Sequence, residues 1–176
     1  MKQLRFSGSG GQGVITAAII FAEAAVNEGK EAVQSQSYGP EARGGASKAE
    51  VIINDTTIYH PHVEQPDLVL AMTQKAADKY YKDLNASGTL VLDSDLVPEP
   101  PAFAHTIRIP ITKLAIEEVG KPLFANIVAL GAVVHLTGLV DFETVKACVA
   151  KRVPPHTVEQ NMKALQIGWD AAAKAC

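Results

Sequence analysis

FSGSGGQGVITAAII, residues 6–20, is the stretch that decides how this chain folds. An apolar residue runs into a glycine-rich segment, and a long apolar run follows. Gly8, Gly10 and Gly13 fit the spacing G-x-G-x-x-G, with Gly11 and Gln12 filling the interval. That order predicts a strand, a tight turn and a helix whose N-terminus faces the turn, an arrangement able to hold a dinucleotide pyrophosphate. Gly8, Gly10, Gly11, Gln12 and Gly13 therefore read either as a structural turn or as an anion contact.

A nicotinamide site needs more than the turn. It needs an acidic residue at the end of the second strand to take the ribose hydroxyls. Here that strand ends in Gln34, Ser35, Gln36 and Ser37, all neutral, while Glu28 and Glu31 fall before the strand or at its start. An adenine-ribose site is poorly supported, and the glycine spacing alone is a weak signal.

Outward from the turn, the chain alternates. Strands are expected at 2–7, 31–37, 46–54, 67–72, 88–93 and 105–109, with Asn54-Asp55 turning into a strand-like TTIYH at 56–60. Helices are expected at 13–28 and 74–84, then at 112–119, 123–138, 141–151 and 156–174. This pattern predicts an α/β fold, a mostly parallel sheet with helices on both faces and a helical C-terminal part. The 176 residues suit one domain over 1–176.

The helices at 13–28 and 123–138 are apolar nearly all round, where a helix on a sheet normally keeps a polar stripe. Two such helices in so small a chain predict that another subunit covers one of them.

Composition narrows the classes. The net charge is −3, from 16 basic and 19 acidic residues, with no Lys/Arg run. This argues against a nucleic-acid surface. Residues 1–12 carry no signal-peptide pattern, and no apolar run reaches spanning length, so neither export nor membrane is expected and a cytoplasmic location is. Two cysteines, Cys148 and Cys176, suit a reducing compartment and cannot supply the four close thiolates of an iron–sulfur cluster. If the chain serves electron transfer, the redox centre lies on another chain. His60-Pro61-His62 reads as a turn rather than a metal site. Asp93-Ser94-Asp95, at a strand's C-terminal end, reads as a cap or an Asx-turn. Cys148 reads as inert packing, and no catalytic constellation is visible.

The segment SQSYGPEARGGA, residues 35–46, carries the most information. Gly39-Pro40 favours a turn. Arg43 precedes Gly44 and Gly45, which let the backbone approach a neighbour closely. A guanidinium beside exposed backbone N–H groups suits a carboxylate or a phosphate.

GSGGQG at 8–13, SYGPEARGGASKAEV at 37–51, PD at 66–67, SGTLVLDSDLV at 87–97 and NIVALGA at 126–132 together resemble, in order, the gamma subunit of the 2-oxoacid:ferredoxin oxidoreductases. The resemblance runs to about residue 150, and the form VQSQSYGPEARGG looks most like the 2-oxoglutarate branch, although the pyruvate, branched-chain and indolepyruvate branches share much of the motif. It implies a complex that oxidatively decarboxylates a 2-oxoacid, forms the acyl-coenzyme A and passes electrons to ferredoxin. It further implies alpha, beta and delta partner subunits, with thiamine diphosphate, magnesium and iron–sulfur clusters on those partners and none on this chain. On that reading the isolated chain is inactive. Tyr38, Glu41, Arg43, Gly44, Gly45 and Asn126 are the expected partner or coenzyme A contacts, with no catalytic or metal-binding residue. The alternative is a free-standing nucleotide-binding α/β enzyme that uses the turn from Gly8 to Gly13 for phosphate.

Overall fold

A computed structural model of the chain describes residues 1–37 and 45–176. Its first part alternates: β1 (Lys2–Ser9), α1 (Val14–Asn27), β2 (Glu31–Gln36), β3 (Ala46–Asn54), β4 (Leu68–Ala71), α2 (Gln74–Tyr80), β5 (Thr89–Asp93) and β6 (Thr106–Ile109). Four helices follow: α3 (Ile111–Leu114), α4 (Ala125–Thr137), α5 (Phe142–Arg152) and α6 (Val158–Ala175).

The six strands form one sheet in the order β2-β3-β1-β4-β5-β6. β1 pairs parallel with β4, β4 with β5, and β5 with β6, whereas β3 runs antiparallel to both β1 and β2. Five of the six strands therefore share one direction. The exception has a simple cause. Only residues 37–45 join β2 to β3, fewer than the dozen or so a parallel crossover requires, so β3 must return beside β2.

Side chains of β1 alternate across the sheet. Leu4 and Phe6 join the larger core with α1, α4, α5 and α6, while α2 covers the other face through Ala76, Ala77 and Tyr80 against Val69, Ala71, Leu90 and Leu92. Helices on both faces and a helical C-terminal part are thus both present, as the alternation predicts.

The helical face is tightly packed. A Cβ on Gly131 of α4 would overlap the Leu165 carbonyl oxygen of α6, and one on Gly168 of α6 would overlap the Val128 carbonyl oxygen. The two helices cross backbone against backbone, which only glycine permits there. The expectation of a subunit covering an apolar helix is corrected for α4. Its own chain buries nine of its residues, from Ala125 to Val134, chiefly beneath α1 and α6. α1 is buried on its sheet side and keeps Val26 at 55% exposure.

Two further expectations change. Thr56–His60 forms no strand; residues 55–66 carry bends only. β3 already has a neighbour on each side, so a hairpin strand after Asn54 finds no open edge. Gln3 instead ties the segment down, its Oε1 accepting from the Glu64 and Gln65 N–H groups at 2.8 and 3.3 Å. The expected helix at 112–119 is split into α3 and a π-helical turn, Ala115–Val119, that stops at Gly120 with φ +109°.

Candidate functional site

The C-terminal end of β1 lies at the switch point of the sheet. From β1 the chain crosses to β2 on one side, and from β4 it crosses to β5 on the other. Ligands of open α/β sheets bind in the crevice that this divergence opens. In this chain Gln12 occupies the crevice. Its Oε1 accepts from the Ser9 N–H at 2.7 Å, and its Nε2 donates to the Met72 carbonyl at 3.4 Å, so one amide bridges the ends of β1 and β4. The Gln12 N–H also donates to the Ser9 carbonyl at 3.2 Å.

Each glycine of the turn has its own reason. A Cβ on Gly8 would overlap Gln12 Oε1 and come within 3.2 Å of Val14 and 3.3 Å of Met72. Gly11 and Gly13 hold φ of +90° and +75°, the left-handed region that side chains avoid. A Cβ on Gly13 would lie 2.5 Å from Asn126 Nδ2. That amide donates to the Gly13 carbonyl at 3.3 Å, and the same carbonyl accepts from the Ala17 N–H to start α1. Asn126, on the first turn of α4, is thereby a brace for the turn. Gly10 and Gly11 are exposed at its tip.

Gly45 comes to the same end of the sheet, since β3 re-enters at Ala46 opposite Ser9 of β1. The Tyr80 hydroxyl donates to the Ala46 carbonyl at 3.1 Å and anchors that point. Tyr38, Glu41, Arg43 and Gly44 lie outside the described residues. The glycine turn, Asn126 and Gly45 therefore share one end of the sheet. His60 and His62 do not: they are exposed in the segment after β3, at the opposite end. Among the described residues, no three His, Cys, Asp or Glu side chains gather where they could hold a metal ion.

Asp93 is buried and fully engaged. Its Oδ2 accepts from the Thr112 N–H at 2.9 Å and hydroxyl at 2.7 Å, and its Oδ1 accepts from the Asp95 N–H at 3.2 Å. The cap and Asx-turn reading of Asp93-Ser94-Asp95 holds. Cys148 packs on α5 with its Sγ 3.3 Å from Asn27 Nδ2, and burial pushes its thiol pKa up, so the unreactive protonated form persists at neutral pH.

Sequence reasoning missed a charged cluster beneath α2. Arg5, 3% exposed, donates from Nε to Glu50 Oε1 at 2.7 Å and from Nη1 to the Tyr80 carbonyl at 2.9 Å. Nη1 and Nη2 clasp the Asp83 carboxylate at 2.5 and 2.9 Å. Lys48 adds a second cation to Glu50 at 2.9 Å. Burial by itself pushes the Asp83 carboxyl up, but the hydrogen bonds and charge of Arg5 outweigh it, and the net shift is downward. The signal in the sequence was a single arginine inside the apolar strand LRF; its partners lie 45 and 78 residues away.

These features define a doubly wound α/β chain whose switch-point crevice is closed by its own glutamine, rather than a dinucleotide-binding domain. The chain belongs to the pyruvate ferredoxin/flavodoxin oxidoreductase family, whose model matches residues 3–171, and it is a gamma-type subunit of those oxidoreductases. It is 45% identical over 175 residues to the 2-oxoglutarate synthase subunit KorC of Methanocaldococcus jannaschii, covering 97% of this chain and 94% of that one. The crystal structure of a keto/oxoacid ferredoxin oxidoreductase gamma subunit from Geobacter sulfurreducens superposes with a TM-score of 0.90 at 51% identity, covering 99% and 100% of the two chains. A 2-oxoglutarate:ferredoxin oxidoreductase from Magnetococcus marinus, with 2-oxoglutarate, coenzyme A and succinyl-CoA bound, shares the fold at 22% identity, with a TM-score of 0.87 over 99% of this chain and 31% of that one. The free-standing nucleotide enzyme is set aside by the family match.

Proposed function

We propose that this chain acts as the gamma subunit of a 2-oxoglutarate:ferredoxin oxidoreductase. In the complex, 2-oxoglutarate loses carbon dioxide, the remaining succinyl group passes to the coenzyme A thiol, and two electrons go to ferredoxin. The observation that carries the reading is the end-to-end similarity to 2-oxoglutarate synthase subunits at 45% identity. The proposed assembly has alpha, beta and delta partners in the cytoplasm. Thiamine diphosphate with magnesium and the iron–sulfur clusters are assigned to those partners, which supply the decarboxylation and electron-transfer chemistry.

The role assigned to this chain is recognition. Tyr38, Glu41, Arg43, Gly44, Gly45 and Asn126 are proposed to border the catalytic partners, with Arg43 meeting an anion there. A guanidinium gives a planar two-point contact to a phosphate or carboxylate, which an ammonium does not. Gln12 keeps the neighbouring crevice filled, and Asn126 braces the turn at the same end of the sheet.

The reconstituted complex tests this. Turnover should favour 2-oxoglutarate over pyruvate in kcat/KM; the reverse preference defeats the substrate assignment. Arg43→Ala should raise the KM for coenzyme A with assembly intact if the anion is a phosphate. It should abolish assembly if the anion is a partner carboxylate, at about 2–5 kcal/mol for a charge left unpaired. Arg43→Lys should restore function only in part. If Arg43→Ala alters neither KM nor assembly, the loop is an ordinary solvated turn.

A further inference from the structure

Tyr80, the last residue of α2, is held at three points. Its carbonyl accepts from Arg5 Nη1 of β1 at 2.9 Å. Its ring has Arg5 Cζ, Lys48 Nζ and Lys79 Nζ at 5.9, 5.9 and 5.3 Å from the centroid, close enough for each cation to be drawn to the ring face. Its hydroxyl donates to the Ala46 carbonyl at 3.1 Å, in a buried contact between residues 34 positions apart. Arg5 is clasped in turn by Asp83, three residues beyond Tyr80. The backbone and the ring are therefore fixed from β1 and β3, and the hydroxyl is aimed before it makes its bond.

Ala46 is a sensitive place to spend that bond. It opens β3, follows Gly45 and lies opposite Ser9, the last residue of β1 before the glycine turn. The Ser37 N–H donates to the Lys48 carbonyl, so Lys48 faces β2, and by strand alternation Ala46 faces the same way. Its carbonyl thus points away from the ladder to β1 and lies past Gln36, where β2 ends. Among the described residues, the Tyr80 hydroxyl takes it. We propose that Tyr80 is a positioning residue for the proposed reaction. By fixing the Ala46 carbonyl it sets how Gly45 stands beside the glycine turn, and with it the shape of the surface offered to the catalytic partners. This inference rests on the recognition role assigned to the chain above.

The test is Tyr80→Phe, which removes the hydroxyl and keeps the ring and the carbonyl bond to Arg5. Tyr81→Phe, the same change one residue on, is the control. In the full-length chain, deuterium uptake over residues 45–48 should rise in Tyr80→Phe and not in Tyr81→Phe; unchanged uptake in Tyr80→Phe overturns the proposal by itself. In the reconstituted complex two quantities are then read: the KM for coenzyme A, and the concentration of this chain that half-saturates its partners. Tyr80→Phe should raise whichever of these Arg43→Ala raises, by about three- to tenfold, the scale of one net hydrogen bond, with kcat at saturation unchanged. Tyr81→Phe should move neither. If Arg43→Ala moves one and Tyr80→Phe only lowers the urea midpoint, the hydroxyl is merely structural and the Tyr80 proposal falls alone. If Arg43→Ala moves neither, the recognition reading falls and takes this proposal with it.

Discussion

The two faces of the sheet are held by different physics. On one face, α1 and α4–α6 bury a continuous apolar core, and shape decides the fit: Gly131 and Gly168 let α4 and α6 touch through their backbones. On the other, a single short helix covers the strands, and a buried arginine with two carboxylates ties that helix to β1 and β3. The first face tolerates no added volume. The second depends on charge, and so on pH. The comparison teaches that apolar composition marks how central a helix is, but not what covers it. α1 and α4 read alike in sequence, yet α4 is enclosed by its own chain and α1 keeps an exposed edge.

The sharpest way to break this contrast is Gly131→Val. The branched side chain would have to displace the α6 backbone, and we expect a loss above about 4 kcal/mol, read as loss of soluble protein or collapse of the urea midpoint. A stable variant would show that α4 and α6 can separate. On the charged face, Arg5→Ala leaves Glu50 and Asp83 without their buried cation. The expected cost is about 3 kcal/mol, the low end for breaking a buried pair, because Lys48 still reaches Glu50 and Asp83 is 45% exposed. At the turn where the faces meet, Gly13→Ala should destabilise more than Gly11→Ala. Both face a strained positive φ worth about 1–2 kcal/mol, but only Gly13 also presses on Asn126.

The smallest effect is a pH slope. Asp83 has a folded pKa below its unfolded one, so its contribution is present above the ordinary aspartate range and is lost as pH falls through the folded value. Stability should therefore fall below about pH 4, and Asp83→Asn should flatten that part of the curve. Denaturant midpoints between pH 3 and 7 measure it. An unchanged slope would mean that Arg5 holds its place through Glu50 and the Tyr80 carbonyl alone.

Most of the apolar face was legible in the sequence. Alternation in the strands, the glycine turn and the helical periods are local signals, and each maps to an observed element. What was not legible depends on contacts between distant residues. The short connection at 37–45 requires β3 to return antiparallel beside β2, but nothing near residue 46 announces that it does so on the inner side, between β2 and β1. Thr56–His60 has strand-like composition but no free edge to join. Asn126 reads as a polar residue on an apolar helix until Gly13, 113 positions away, is brought against it. At the candidate site, the glycine turn and Gly45 lie at the same end of the sheet, which neither motif announces, and Gln12 as the plug of the crevice was hidden because nothing local distinguishes a bridging amide from a solvated one.

The place of β1 in the sheet also bears on synthesis. It is made before either neighbour, and its partners on β3 and β4 follow about 37–51 and about 64 residues later. At roughly 5–20 residues per second, both hydrogen-bonding edges of this apolar strand stay unpaired for about 2–10 seconds, until β3 is made. A strand that ends up between two neighbours in the middle of the sheet is the one that waits longest for a partner during translation, and slower elongation in this first third of the message lengthens its exposure.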